Sequence, residues 1–162
     1  MNRKFDKVRS IAVEQQTIVS APRTETDEQI KARLIQSARE LAQRIAARAE
    51  GDEKNRRISD DTIREAGEAG FFRIMVPKSM GGYELDWETV CRVVVEAGRY
   101  DGSSAWQIGF FIMHNWLWLG LSEKAQAEVY GPKGYSTGPV MLAPQVSARR
   151  VAGGFVLNGR SR

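Results

Sequence analysis

Histidine and cysteine are nearly missing from this chain of 162 residues: there is one of each, His114 and Cys91. A single cysteine excludes an intrachain disulfide, which suits a reducing cytoplasm. One histidine and one cysteine exclude a zinc site of the usual spacing, so no bound metal is expected. The chain also lacks a phosphate-cradling glycine loop. Gly81-Gly82 and Gly153-Gly154 are isolated pairs, better explained as turns. No serine sits in a strand-turn-helix elbow of the kind that exposes a nucleophile. Near the N-terminus, Glu14, Gln15 and Gln16 interrupt what would be the apolar core of a signal peptide, so no export signal is read. Internal repeats and low-complexity tracts are absent as well.

What is present is ordinary globular composition, 42% hydrophobic and 27% charged, in a chain long enough for one domain with a real core. The net charge of +4 is distributed unevenly. Residues 1–10 carry +3 and residues 145–162 carry +4, which leaves 11–144 at −3. The body is slightly acidic, and a nucleic-acid-binding face is not indicated.

Residues 1–26 show no sustained period and read as a loose leader. From Asp27, apolar residues recur every three or four positions (Ile30, Leu34, Ala38, Leu41, Ile45), which predicts a helix to about Glu50, stopped by Gly51 and Asp52. Ser59 predicts the N-cap of a second helix, with Asp60 and Asp61 in its first turn, Ile58 able to staple onto Ile63, and Gly70 closing it. Phe71 to Val76 is an apolar connector. Asp86 caps a third helix with Trp87, Val90, Cys91, Val94 and Ala97 along one face. A fourth runs from Ser104 to about Leu119 and is apolar nearly all round, the pattern of a membrane span or of a helix at the centre of a protein. Gln107, His114 and Asn115 inside it, and a length short of the ~20 residues of a comfortable span, favour the buried helix and no membrane. Ser122 caps a short fifth helix ending at Gly131-Pro132. Beyond Gly134 the helical period is lost. Val140 to Ala143 reads as a strand entering Pro144, and Ser147–Val151 with Phe155–Leu157 reads as a hairpin around Gly153-Gly154. Three strands with exposed edges make an unfinished sheet, so the chain reads as cut off.

The candidate for chemistry is His114, the one side chain whose ordinary pKa lies near neutrality, set mid-helix among aromatics. A buried imidazole must find a hydrogen-bond partner. That partner is either a backbone carbonyl, which makes His114 a core residue, or a polar group of a substrate. The surrounding Trp106, Phe110, Phe111, Trp116 and Trp118 carry the same two readings, core or pocket.

The run Glu68-Ala-Gly-Phe-Phe72 through Met75-Val-Pro77, then Gly81-Gly-Tyr-Glu-Leu-Asp86, resembles the N-terminal signature shared by acyl-CoA dehydrogenases and the flavin monooxygenases built on that fold; so does Gly102-Ser-Ser-Ala-Trp106. His114-Asn-Trp116 resembles the oxygenase component of the two-component, group D monooxygenases that hydroxylate phenols. Val151-Ala-Gly-Gly-Phe155 with Asn158-Gly-Arg160 is similar to their middle-domain hairpin. At the branch point Leu142-Ala-Pro-Gln-Val146 has the proline of the dehydrogenases' Thr-Glu-Pro-Gly-x-Gly-Ser-Asp run but neither its glycines nor its Ser-Asp, a departure towards the monooxygenases. Two other departures cut against full function. Val140 and Met141 stand where the phenol hydroxylases often have serine, and Ser161 where they usually have tryptophan.

The resemblance implies a mainly α fold: a leader (1–26), an N-terminal helical domain (27–133) and the first strands of a middle β-domain (134–162), normally followed by a four-helix bundle that mediates tetramer formation. It implies reduced flavin (FMNH2 or FADH2) delivered by a flavin reductase component, and transfer of one oxygen from O2 to a small aromatic substrate. By the same resemblance His114 hydrogen-bonds or deprotonates the substrate hydroxyl. Asn115, Trp116 and Met141 line the substrate, and Leu142, Ala143 and Pro144 meet the flavin. Two other readings stand beside it: an acyl-CoA dehydrogenase-type flavoenzyme whose catalytic glutamate lies beyond residue 162, and an inactive truncated product.

Overall fold

The computed structural model describes residues 24–140 and 145–160. Among them are five α-helices, α1 (Asp27–Asn55), α2 (Asp60–Glu68), α3 (Trp87–Ala97), α4 (Gly102–Leu117) and α5 (Glu123–Tyr130), and a two-stranded antiparallel hairpin, β1 (Val146–Val151) with β2 (Gly154–Gly159). Residues 1–23 of the leader and residues 141–143 of the strand predicted at 140–143 fall outside the described residues.

A capping box opens α1: the Thr26 hydroxyl accepts from the Gln29 amide while the Gln29 side chain accepts from the Thr26 amide. The predicted stripe is buried, with Ala42 added to it. Each large apolar side chain so buried contributes about 1.5–3 kcal/mol relative to exposure. The predicted stop at Gly51 is wrong. One glycine costs a helix only about 1 kcal/mol, and the last turns are held on both sides of it. Lys54 pairs with Glu50, and the Asp52 carboxylate accepts from the Ser59 amide at 3.1 Å, tying the end of α1 to the start of α2. The chain breaks at Arg56, which adopts a left-handed conformation (φ 51°).

Ser59, Asp86, Asp101 and Ser122 each accept a hydrogen bond from the third residue of the helix they cap. Gly70 takes the expected left-handed turn after α2 (φ 92°). The connector then folds back on itself: the Tyr83 and Leu85 amides donate to the Arg73 and Ile74 carbonyls. A Cβ on Gly82 would lie 2.0 Å from the Val76 carbonyl oxygen, so the close approach of the two strands of this loop requires glycine.

The core lies where α1, α3 and α4 meet the Phe71–Val76 connector. In α3 the buried face is Val90, Val93 and Ala97, with Thr89 and Glu96 beside it. The predicted face was rotated by about one residue. Trp87 and Cys91 are exposed and Val94 sits at the flank, because the 90-93-97 spacing aims a full stripe at both α1 and α4. Glu96 closes the edge between Arg39 and Arg99.

In α4 the expectation of a helix buried all round also fails. One face is internal (Ser104, Ala105, Ile108, Ile112, His114, Asn115), whereas Trp106 is 68% exposed and Met113, Trp116 and Leu117 are exposed beside it. None of the described helices is long and apolar enough to cross a membrane. The hairpin matches the predicted segments, with Val151 facing Gly154 across an Ala152-Gly153 turn, and nearly all of it is exposed.

Between α1 and α2, Glu65 receives Arg48 through two nitrogens (2.7 and 3.2 Å) and Arg44 through one (2.7 Å). The Arg48 hydrogen bonds, with Arg44 behind them, hold its carboxyl down at about 2. A folded value below the ordinary ~4.3 of glutamate means that the pairing stabilises fully above that pH and fades as the pH falls towards 2. Glu65→Gln is therefore expected to lower the melting temperature at pH 7 by ~2–4 °C, the equivalent of about 1 kcal/mol for a partly screened pair. Most of the difference should be gone by about pH 2. A deficit that does not change between pH 7 and pH 2 would contradict the assignment.

Candidate functional site

Two neighbouring residues at the end of α4 bind the segment that follows α5. His114 is 7% exposed, and its Nδ1 lies 3.0 Å from the Gly138 carbonyl oxygen. A carbonyl only accepts, so Nδ1 carries the proton, and in the neutral imidazole Nε2 is left with a lone pair. Phe110 and Phe111 stand edge-on to the ring, at 5.4 and 6.4 Å between centroids.

Asn115 is completely buried. Its Nδ2 donates to the carbonyls of Phe111 (2.7 Å) and Ser136 (2.9 Å), and its Oδ1 accepts from the Ser136 amide (2.8 Å). The amide orientation is unambiguous, because exchanging N and O would set donor against donor at Ser136. Both hydrogens of the amide are thus committed to backbone. The Asn115 carbonyl in turn accepts from the buried Tyr130 hydroxyl at 2.7 Å. Burial pushes that phenol up to about 12, so it stays a donor at physiological pH. Within the turn, the Gly138 amide donates to the Ser136 hydroxyl at 3.1 Å.

The structure thus brings His114 and Asn115 together around residues 136–138 and separates them from Trp116. Two positions further along a helix is the opposite side, and Trp116 is 43% exposed there, edge-on to Trp87 at 5.7 Å. Met141, Leu142, Ala143 and Pro144 lie outside the described residues. Of the two partners considered for His114 from sequence, the backbone carbonyl is the one present, and it occupies only Nδ1. Tyr130, Ser136 and Gly138 were not anticipated. A signal for them existed: an asparagine inside an aromatic helix needs acceptors for two hydrogens, and its own helix supplies one. Trp118, one turn after His114, lies against Gly138, and its buried Nε1 has no hydrogen-bond partner among the described residues.

Residues 24–136 match the family model described as "Acyl-CoA dehydrogenase, N-terminal domain". The chain belongs to this family. Among curated relatives, the oxygenase subunit HsaA of a flavin-dependent monooxygenase from Rhodococcus jostii is 32% identical over 71% of this chain and 30% of its own length. The oxygenase component of p-hydroxyphenylacetate 3-hydroxylase from Acinetobacter baumannii is 26% identical over 78% of this chain and 30% of its own length. The oxygenase component of an FADH2-dependent resorcinol hydroxylase from a Rhizobium species is also 26% identical, over 79% and 31% respectively. The chain spans about a third of the length of these relatives. As a member of the family it has the helical domain expected from its signature residues, and these relatives are named as oxygenase subunits or components of a monooxygenase or a hydroxylase.

Tyr130→Phe tests the hydrogen-bonded cluster. It leaves the buried Asn115 carbonyl without its donor and is expected to destabilise the domain by about 1–2 kcal/mol in urea denaturation. A loss within error of zero would show that the Tyr130 hydroxyl does not support α4.

Proposed function

We propose that the chain is the N-terminal domain of the oxygenase component of a two-component flavin-dependent monooxygenase acting on a small phenolic substrate. The observation that carries this reading is the His114 imidazole, held by Gly138 in the form that keeps Nε2 free as a base. The names of the relatives support the reaction class. Reduced flavin, FMNH2 or FADH2, delivered by a reductase, supplies the activated oxygen. His114 accepts the phenolic proton at Nε2, which raises electron density on the ring. Phe110 and Phe111 shield the imidazole from water on two sides. Leu142, Ala143 and Pro144 are the proposed flavin contacts. In sequence, Leu142 comes four residues after Gly138, where the segment that His114 and Asn115 pin ends.

Met141 and Trp116 complete the proposed substrate lining. Trp116 faces out from α4 and would reach a substrate only across a contact with further protein. The exposed apolar side of α4 supports such a contact in a homo-oligomer. The second reading, an acyl-CoA dehydrogenase-type activity, rests on the family match alone.

The test uses the gene product as its cell makes it, with a flavin reductase, NADH, O2 and a panel of phenols. Hydroxylated product is expected, and His114→Asn should lower its formation by ~10²–10⁴ while oxygen is still consumed with release of hydrogen peroxide. Unchanged coupling of oxygen use to product in the variant would remove His114 from the chemistry. Turnover of acyl-CoA with an artificial electron acceptor, and none of phenols, would favour the second reading.

A further inference from the structure

We propose that Asn115 is a positioning residue for His114: by fixing Ser136, it places the Gly138 carbonyl where it selects the Nδ1–H form of the imidazole. Only the consequence for catalysis rests on the function proposed above; the positioning itself is a property of this chain. Asn115 Nδ2 and Oδ1 grip the carbonyl and amide of Ser136 as a neighbouring strand would, at 2.9 and 2.8 Å. The Ser136 hydroxyl then accepts from the Gly138 amide at 3.1 Å, which sets the direction of the next peptide units. The Gly138 carbonyl meets His114 Nδ1 at 3.0 Å.

Every link runs from α4 out to the turn and back to the adjacent residue of α4, so His114 and its acceptor are held by one rigid frame. A Cβ on Gly138 would come 3.2 Å from the Ser136 hydroxyl and 3.8 Å from Trp118, so the turn is close-packed where the carbonyl is aimed. A free imidazole favours its Nε2–H form, which has no lone pair at Nε2. Selecting the other form is therefore a task that some residue must perform if Nε2 is to act as a base.

The chain has one histidine, so its imidazole nitrogens give a single set of 15N NMR signals. At roughly pH 9, where an ordinary imidazole is neutral, the unsubstituted 162-residue chain is expected to show Nδ1 protonated and Nε2 bare. In Asn115→Ala, and more mildly in Ser136→Ala, the population should move towards Nε2–H. Should Asn115→Ala fail to fold, Ser136→Ala alone carries the test, because it removes one hydroxyl from a half-buried turn. Glu65→Gln lowers stability through the Arg44 and Arg48 pairing, without removing any link between Asn115, Ser136, Gly138 and His114, and should leave the tautomer as it is. A native Nε2–H form, an unchanged tautomer in the variants that fold, or an equal change in Glu65→Gln would each overturn the proposal. None of these readings needs enzymatic activity, so a failed hydroxylase assay leaves the outcome unaffected.

Discussion

The end of α4 depends on one side-chain amide. Asn115 sits inside an apolar helix, where an unpaired amide hydrogen or carbonyl would cost about 1–3 kcal/mol. One of its hydrogens reaches back to Phe111 within the helix, and the rest of its capacity is met by Ser136. That requirement draws an irregular segment, with no ladder of its own, against α4. Tyr130, at the end of α5, donates to the carbonyl of the same residue. Three stretches of chain that share no regular backbone pairing are thereby locked at one point. His114 inherits its surroundings from this lock.

Much of the helical frame was legible because it is written in local chemistry. Ser59, Asp86 and Ser122 are short acceptors read from sequence as caps, and each stands one residue before the helix it caps. The α1 stripe is a plain 3.6-residue pattern. Errors arose where a local rule met a tertiary one. Gly51 is a weak stop that Asp52, by reaching Ser59, overrides. The face of α3 is set by two partners at once, which no single-helix pattern displays. In α4 nearly every residue is apolar, so sequence could not distinguish the internal face from the outer one. Burial of Ile108 and Ile112 and exposure of Trp106 and Trp116 were settled by packing.

The site was legible in part. His114 stood out as a titratable group among aromatics, yet its partner came from a stretch without periodicity, and a carbonyl has no sequence signature at all. The tripeptide His114-Asn-Trp116 looks like one functional unit on paper. On a helix its three side chains divide. The imidazole faces residues 136–138, the amide is spent on structure, and the indole faces outward. Adjacency in sequence along a helix separates side chains by about 100° per residue, so neighbours in such a motif meet different surroundings. Such a division suits a domain whose inner face builds a site and whose outer face is left for contact.

Asn115, with one donor and one acceptor on Ser136, is expected to hold it as firmly as a neighbouring strand would. Hydrogen exchange at the Ser136 amide measures it directly, because Ser136 lies outside every helix and strand and its amide has Asn115 Oδ1 as its acceptor. Protection comparable to that of core amides in α4 is the expected result. Exchange at the rate of an unstructured loop would show that the grip is not maintained in solution, and would contradict the account of how this site is built.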